Sequence, residues 1–349
     1  MPNCQCFVLR PLPPGLRRGG LIPVGLALVA CLLAAPATAD ERDAPAENPL
    51  AELATLEYRP AAPIEGQLRL SGSSSLEQAA AFWAEGFMAI HPAATVTLDR
   101  TSTAAGWQAL LDGTAEVALV SRPFSAAEIE AAAKDGRKPI VIPVCFDQLF
   151  WVVHESNPVD SLPWSPATGI LPGPHPAAAE GPPRWGRWLT EADWADVPVT
   201  VHGPGSGSGS RWHLEKLLAG RSAWDGPIQD QDSIADVAAA VAADPGGLGL
   251  VGGAASSRPG LRRVPLNLPA DARPPEDAVP GSERTPDYRP LFVAVMAPAE
   301  GEWPAPLREF VAYVLSFPGQ LDLAKDGLMP LTRGEIHAQQ ERLGQPVAR

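Results

Sequence analysis

The stretch Gly203-Pro204-Gly205-Ser206-Gly207-Ser208-Gly209-Ser210-Arg211 can be read as a flexible linker or as the backbone cradle of an anion site. The next seven residues decide between the two. Trp212-His213-Leu214-Glu215-Lys216-Leu217-Leu218 puts apolar residues at 214, 217 and 218, the spacing of one buried helical face. A helix therefore begins near Ser210. Upstream, Val197 to Val201 is a short β-branched run leading to the glycines, so the order is strand, glycine-rich turn, helix. Free N–H groups and the positive dipole end at such a helix start hold an anion well, and glycine lets the backbone approach it. A Gly/Ser linker would join two domains and need not run straight into a helix. Composition alone leaves the linker reading open; the rest of the chain argues against it.

The same grammar recurs upstream. Leu68-Arg69-Leu70 alternates, Ser71 to Ser75 is small and hydroxylated, and Leu76 to Ile90 is amphipathic. Val96 to Leu98 reads as a second strand, after which Thr101-Ser102-Thr103 leads through Ala104 and Gly106 into a helix to Leu111. Val117 to Val120 is a third strand ending at Ser121-Arg122-Pro123, and Ser125 with Glu128 predicts a capping box for a helix to Lys134. Strands alternating with helices predict an α/β chain with a mixed or parallel sheet and crossovers. Ligands of open α/β sheets bind beyond the carboxyl ends of the strands, where each hydroxyl cluster stands. Any one of them is first an ordinary helix N-cap. Four such turns, at Ser73 to Ser75, Ser102 and Thr103, Ser121 and Arg122, and Ser208 to Ser210, predict a shared site.

Pro139 to Asn157 is long and apolar with Asp147 inside it, and is expected to cross from one lobe to the next. Residues 159–187 are dense in Pro, Gly and Ala and read as an irregular surface insertion. Ser233 to Ala243 reads as a helix, Gly249 to Val251 as a short strand, Pro259 to Asp287 as a Pro-rich loop region and Leu291 to Met296 as a strand. Helices are expected over Leu307 to Leu315 and Gln320 to Ala324.

A length of 349 residues allows about two domains, and 45% hydrophobic residues can fill sizeable cores, while 40 prolines and 32 glycines require much turn and loop. Residues 1–39 contain no Asp or Glu, carry Arg10, Arg17 and Arg18, and include the apolar run Leu21 to Pro36, the pattern of a secretory signal. Ala37-Thr38-Ala39 offers a cleavage site that leaves a chain starting at Asp40. Leu28-Val29-Ala30-Cys31 reads as a lipoprotein box with Cys31 lipidated, but the apolar run continues past Cys31, which favours cleavage after Ala39. A retained membrane helix is a third reading, disfavoured because the run falls short of the ~20 residues needed to span. Residues 40–65, rich in Ala, Pro and Glu without a period, read as a flexible tether. The address is thus periplasmic or secreted, with a lipid anchor through Cys31 as the alternative.

Removing the signal leaves 24 basic against 40 acidic residues, a net charge of −16, so nucleic acid is excluded as a natural partner. Cys4, Cys6 and Cys31 lie in the signal region; Cys145 alone is certain to remain, no intrachain disulfide can then form, and its apolar surroundings predict a buried structural thiol. Gly247-Leu248-Gly249-Leu250-Val251-Gly252 matches a dinucleotide-binding string, but a helix precedes it and its interior reads as the strand itself. The Gly205 to Ser210 repeat has neither the lysine of a P-loop nor the frame of a hydrolase elbow. The six histidines show no metal spacing, and His202, beside the glycine loop, is expected to pack rather than reach an anion. The ten tryptophans lie mostly in or beside Pro-rich segments, where packing accounts for them. No cofactor and no metal are expected.

Several strings together resemble the phosphate-binding proteins of bacterial phosphate ABC importers, from about Leu68 to Leu343 with 159–187 as a poor match. They are Ser-Gly-Ser-Ser-Ser at 71–75 before a helix with Phe82-Trp83, Leu110 to Pro123 (Leu-Leu-Asp-Gly-Thr-Ala-Glu-Val-Ala-Leu-Val-Ser-Arg-Pro), and Phe146 to Val159. Gly207 to Arg211, Arg289-Pro290-Leu291-Phe292 and Lys325 to Leu331 complete the set. The resemblance implies a two-lobed periplasmic-binding-protein fold of type II, mixed sheets flanked by helices and a ligand cleft between the lobes. It implies a first lobe over 66–150 and 290–349 and a second over 151–289, the chain passing between them at Gln148 to Trp151 and Arg289 to Phe292. It also implies that hydroxyls and backbone N–H groups from both lobes hold inorganic phosphate. Ser73, Ser74 and Ser75 fall on the first loop, Ser102 and Thr103 on the second, Ser121 and Arg122 on the third, and Ser208, Gly209 and Ser210 on the loop of the second lobe. Arg122 stands where some members carry an aspartate, and Pro204 where members often carry an arginine. Arg122 is therefore expected to supply the charge. The implied protein is a monomeric, non-enzymatic receptor that delivers phosphate to a membrane permease. Alternatives are a receptor or sensor for sulfate, molybdate, tungstate or phosphonate, or a non-transport surface module on the same fold.

Overall fold

A computed structural model describes residues 49–344 apart from 61, 134–137, 166–168, 171–182, 207, 221–226, 254, 269–284, 286 and 299–301. The expected signal segment, Cys31 and the tether up to residue 48 lie outside the described residues, as do parts of both Pro-rich regions.

The described residues begin with α1 (Pro49–Leu53), β1 (Glu65–Ser73), α2 (Glu77–Ile90), β2 (Ala93–Thr101), α3 (Thr103–Asp112), β3 (Val117–Val120) and α4 (Ala126–Ala132). The long β4 (Lys138–His154) is followed by β5 (Leu162–Pro163), β6 (Thr200–Pro204), α5 (Gly209–Ala219), β7 (Gln229–Gln231), α6 (Ile234–Ala243), β8 (Gly247–Gly252), β9 (Leu261–Val264) and β10 (Leu266–Asn267). After β11 (Tyr288–Ala297) come α7 (Ala305–Val314), α8 (Phe317–Lys325), β12 (Met329–Pro330) and α9 (Arg333–Arg342).

The strands run in the order β2-β1-β3-β11-β4-β8-β6-β7. β1 is parallel to β2 and β3, and β6 is parallel to β8 and β7, so each end of the sheet is a crossover-built α/β half. Between them stands the antiparallel pair β11–β4. β4 serves both halves: Lys138 to Gln148 pairs with β11, and Leu149 to Val153 with β8. Each half has its own core. Leu70, Trp83, Phe87, Phe146 and Phe310 bury together in the first, and Trp151, Trp185, Leu214 and Leu248 in the second. The residues make these elements for ordinary reasons. In α2, Ala79, Ala80, Trp83, Ala84 and Phe87 fall on one helical face and are buried there. In β3 all four residues are buried, as a central strand covered on both faces requires.

The string Gly247 to Gly252 is β8 itself. A Cβ on Gly249 would meet Val241 at 2.9 Å and Val237 at 3.1 Å, so that glycine makes room for α6 rather than for a nucleotide. Cys145 is fully buried.

Three expectations need correction. From residue 49 onward the expected tether is packed: Leu53, Leu56 and Ile64 are buried in the first core, and the Leu56 carbonyl accepts the Phe317 N–H at 2.7 Å. Leu50, Leu53 and Leu56 recur every third residue, but over too short a run to stand out from the Ala, Pro and Glu around them. The 159–187 segment, where described, is not a surface insertion, since Trp164, Ile170 and Trp185 belong to the second core. Large tryptophan side chains bury there despite the proline-rich backbone. The strand before the glycine loop starts at Thr200 rather than Val197, because Val197 and Val199 bond with Trp194, Pro183 and Trp185 instead of a sheet neighbour. The helix α9 carries little sequence signal because its buried face is largely polar, with Glu335, Gln339 and Gln340 beside Ile336. Among the described residues no helix is long and apolar enough to cross a membrane.

Candidate functional site

Parallel pairing of β1 with β2 and β3 opens their carboxyl ends on one edge. Ser73, Thr103 and Ser121 meet there, 6%, 3% and 2% exposed. Ser73 Oγ–H donates to Ser121 Oγ at 3.0 Å, Ser121 Oγ and Thr103 Oγ1 are 3.0 Å apart, and the Ser121 N–H donates to Thr103 Oγ1 at 3.2 Å. Ser73 Oγ also accepts the Ser75 N–H at 3.3 Å. From the other half, β6 leads to the start of α5. Ser208 caps that helix by accepting the Arg211 N–H at 3.1 Å, as Ser102 caps α3 by accepting the Ala105 N–H at 3.2 Å. A capping hydroxyl accepts through its lone pair and keeps its own hydrogen to donate. Both helices thus present a positive end at this edge.

β11 runs antiparallel to β3 with Phe292 opposite Val120, so its amino end extends beyond the carboxyl end of β3 and carries Arg289 past Ser121. Arg289 is 3% exposed. Its Nη1 donates to Ser210 Oγ at 2.6 Å, and its Nη2 to Ser75 Oγ at 3.2 Å and to Asp147 Oδ2 at 2.6 Å. Arg289 and Asp147 are register partners across β11 and β4. The Arg289 Nε is buried without a hydrogen-bond partner. One guanidinium thus gathers a serine from each half of the sheet and a carboxylate from the strand shared by both.

The site residues expected from sequence sort into two groups. Ser73, Ser75, Thr103, Ser121 and Ser210 join the network, and Gly209 packs on Ser121, where a Cβ would lie 2.1 Å from Ser121 Oγ. Ser102 and Ser208 are helix caps at its rim. Ser74 is exposed in the single 3₁₀ turn before α2. Arg122 is the correction: Nη2 donates to Glu128 Oε1 at 2.7 Å, Nη1 to Glu128 Oε2 at 3.2 Å and to the Pro123 carbonyl at 3.0 Å. Its guanidinium also sits 5.1 Å over the Phe124 ring. Its fork is matched by a carboxylate six residues away, and the hydrogen bonds from Arg122, first among the causes, hold the Glu128 carboxyl down to about 2. His202 packs as expected, with Nε2 3.1 Å from Asp244 Oδ2. Arg211 pairs with Glu215 at 2.7 Å and Asp230 at 2.5 Å. Among the described residues no three His, Cys, Asp or Glu side chains are grouped as metal ligands.

A PBP superfamily domain matches residues 58–316. The chain belongs to the PBP superfamily. Other proteins align with it over most of its length. The phosphate-binding protein PstS of Pseudomonas aeruginosa is 27% identical over 281 residues, covering 79% of this chain and 86% of its own. Two crystal structures share the fold. A possible phosphate binding protein from Planctomyces limnophilus superposes with a TM-score of 0.53 at 22% identity, over 80% of this chain and 98% of its own. An ABC-type phosphate transport receptor from Vibrio cholerae does so with a TM-score of 0.54 at 19% identity, over 76% and 100%.

In this PBP-superfamily member, sequence reasoning overlooked Arg289 and Asp147 as site residues. A signal existed for Asp147, a lone charge inside a long apolar run, where a charge is rarely buried unless paired; Arg289, at the amino edge of its strand and two residues from Asp287, carried none.

Proposed function

We propose that the protein is an extracytoplasmic receptor that closes on inorganic phosphate between its two lobes and delivers it to the permease of an ABC importer. The observation that carries this reading is the convergence of hydroxyls from both halves of the sheet on the buried Arg289 fork. The named function of the Pseudomonas relative supports it. The ligand shell is Ser75, Thr103 and Ser210 with the N–H groups at the starts of α3 and α5, Ser73 giving its hydrogen to Ser121, and Arg289 supplies the charge assigned from sequence to Arg122. The first lobe is 49–150 with 290–349, since Leu53, Leu56 and Ile64 pack in its core, and the second is 151–289, hinged at Gln148 to Trp151 and Arg289 to Phe292, where β11 shifts register between Leu291 and Phe292. Residues 1–39 direct export.

Magnitudes are sufficient. Charge-assisted hydrogen bonds contribute ~1.5–3 kcal/mol each, so six exceed the ~8 kcal/mol of a micromolar site, and the remainder drives closure. Asp147 shares the Arg289 fork and, after burial, helps raise the carboxyl of Asp326 above its usual range. The field at the site is therefore not purely positive, which favours an oxyanion that carries a hydrogen of its own over sulfate. Titration calorimetry on ligand-stripped protein should give one phosphate per chain and weaker binding of sulfate, molybdate and phosphonate. Thermal stability should rise by ~4 kcal/mol at a thousandfold excess over Kd. No thermal shift at millimolar phosphate, with carried-over ligand excluded, overturns the reading; equal binding of sulfate removes the role given to Asp147.

Arg122→Ala should leave the phosphate Kd within threefold of the parent. Its effect belongs to stability. Glu128 is depressed from 4.5 to about 2, so its pairing stabilises the fold above pH 4.5 and that contribution is lost as pH falls toward 2. Urea midpoints of parent and variant should differ at pH 7 and converge near pH 2; a gap independent of pH would show that packing on Phe124 dominates.

A further inference from the structure

Gly209 has no local reason to be glycine. It is the first residue of α5 and its φ is not positive, and alanine is the better helix former. The reason lies across the cleft. A Cβ at 209 would stand 2.1 Å from Ser121 Oγ, 2.5 Å from the Ser121 carbonyl oxygen and 2.7 Å from its carbon. Two of these three atoms are backbone, so a rotamer change cannot relieve the collision. Ser121 follows β3 in the first half and Gly209 opens α5 in the second; here the halves touch backbone to backbone.

The hydroxyl of Ser121 is already engaged. It accepts from Ser73, and Thr103 Oγ1 accepts the Ser121 N–H. When Ser121 donates its single hydrogen to Thr103, the Thr103 hydrogen is the one left to donate outward. In the reverse arrangement the Ser121 hydrogen remains, but Gly209 covers that residue. We infer that Gly209 and Ser121 form the stop that sets how far the cleft closes, and that Ser121 is a positioning residue that orients Thr103 rather than a direct phosphate ligand. The inference rests on the phosphate reading and deepens it.

The test uses the exported chain with Gly209→Ala, Gly205→Ala and Ser121→Ala. Gly205 lies in the same loop, and a Cβ there meets nothing within 4 Å. Phosphate binding is read by titration calorimetry and closure by small-angle scattering. Gly209→Ala is expected to melt, when free, within a few degrees of the parent, to bind phosphate at least thirtyfold more weakly, and to show no fall in radius of gyration on adding phosphate. Gly205→Ala should bind within twofold and compact normally. Ser121→Ala should keep compaction and lose less than tenfold in affinity. Gly209→Ala that binds within threefold and compacts overturns the inference, as does one that fails to fold when free, which would place the contact in the folding core. Ser121→Ala that loses binding as severely as removal of the Arg289 fork makes Ser121 a direct ligand and overturns its assigned role. A parent that binds no phosphate refutes the function itself, an outcome separate from all of these.

Discussion

Arg289→Gln is expected to weaken phosphate binding by roughly 30- to several-thousandfold, the ~2–5 kcal/mol lost when one partner of a desolvated charge pair is truncated. Arg289 donates to Ser75, Ser210 and Asp147 at once, so its removal takes away the cation, the fork geometry and the cross-cleft tie together. Asp147 is then left as an unpaired carboxylate in a largely buried position, a cost of ~3–5 kcal/mol to the fold itself. The double variant Arg289→Gln with Asp147→Asn separates the two effects. It should recover most of the thermal stability and little of the affinity. Arg289→Lys keeps a charge but not the planar fork, and should fall between parent and glutamine. Calorimetry and thermal denaturation on the same preparations decide the matter. An Arg289→Gln protein that binds within threefold of the parent would return the charge to the helix ends, since Arg122, Arg211 and His202 each face a carboxylate.

The largest loss of stability is expected from Gly72→Ala. Gly72 has φ +144°, and a Cβ there would lie 2.2 Å from the Leu119 carbonyl oxygen and 2.8 Å from its nitrogen, on the parallel strand that pairs with it. From the other side, the Cβ position of Gly106 in α3 is only 2.6 Å from Gly72 Cα, so helix and strand already touch without side chains. The substitution should cost more than ~4 kcal/mol, and melting should fall by about 10 °C or more. Gly113→Ala is the matched control: φ is +71° and a Cβ meets nothing within 4 Å, so it carries only the ~1–2 kcal/mol of a left-handed backbone. Melting curves that coincide for the two variants would show that β1 and β3 can part at little cost. The consequence reaches function, because β1 ends at Ser73 and α3 begins at Thr103.

Legible in the residues was whatever acts over a few positions along the chain. The capping box of Ser125 and Glu128, the caps Ser102 and Ser208, and the apolar face of α2 could be read because both partners lie within one or two turns. So could the strand-turn-helix order that puts hydroxyls at strand ends. Where the local signal was diluted the reading failed: Leu53, Leu56 and Ile64 are single apolar residues in an Ala/Pro/Glu-rich stretch, and the tryptophans of 164–185 are set in proline-rich backbone. Arg122 could be read two ways from sequence, because a cation next to a hydroxyl turn suits an anion or a neighbouring carboxylate equally well, and here Glu128 takes it bidentately.

Residue order is thus enough to establish an α/β chain with hydroxyl turns at the ends of its strands, since helix starts and strand alternation depend on near neighbours. Which cation lies among those turns is decided only in three dimensions. Arg289 meets Asp147 across 142 residues through the antiparallel register of β11 against β4, and meets Ser210 across 79 only because β8 and β6 bring α5 to the same edge. Register is a property of paired strands, fixed by the burial of their apolar faces, and no stretch of either strand read alone contains it.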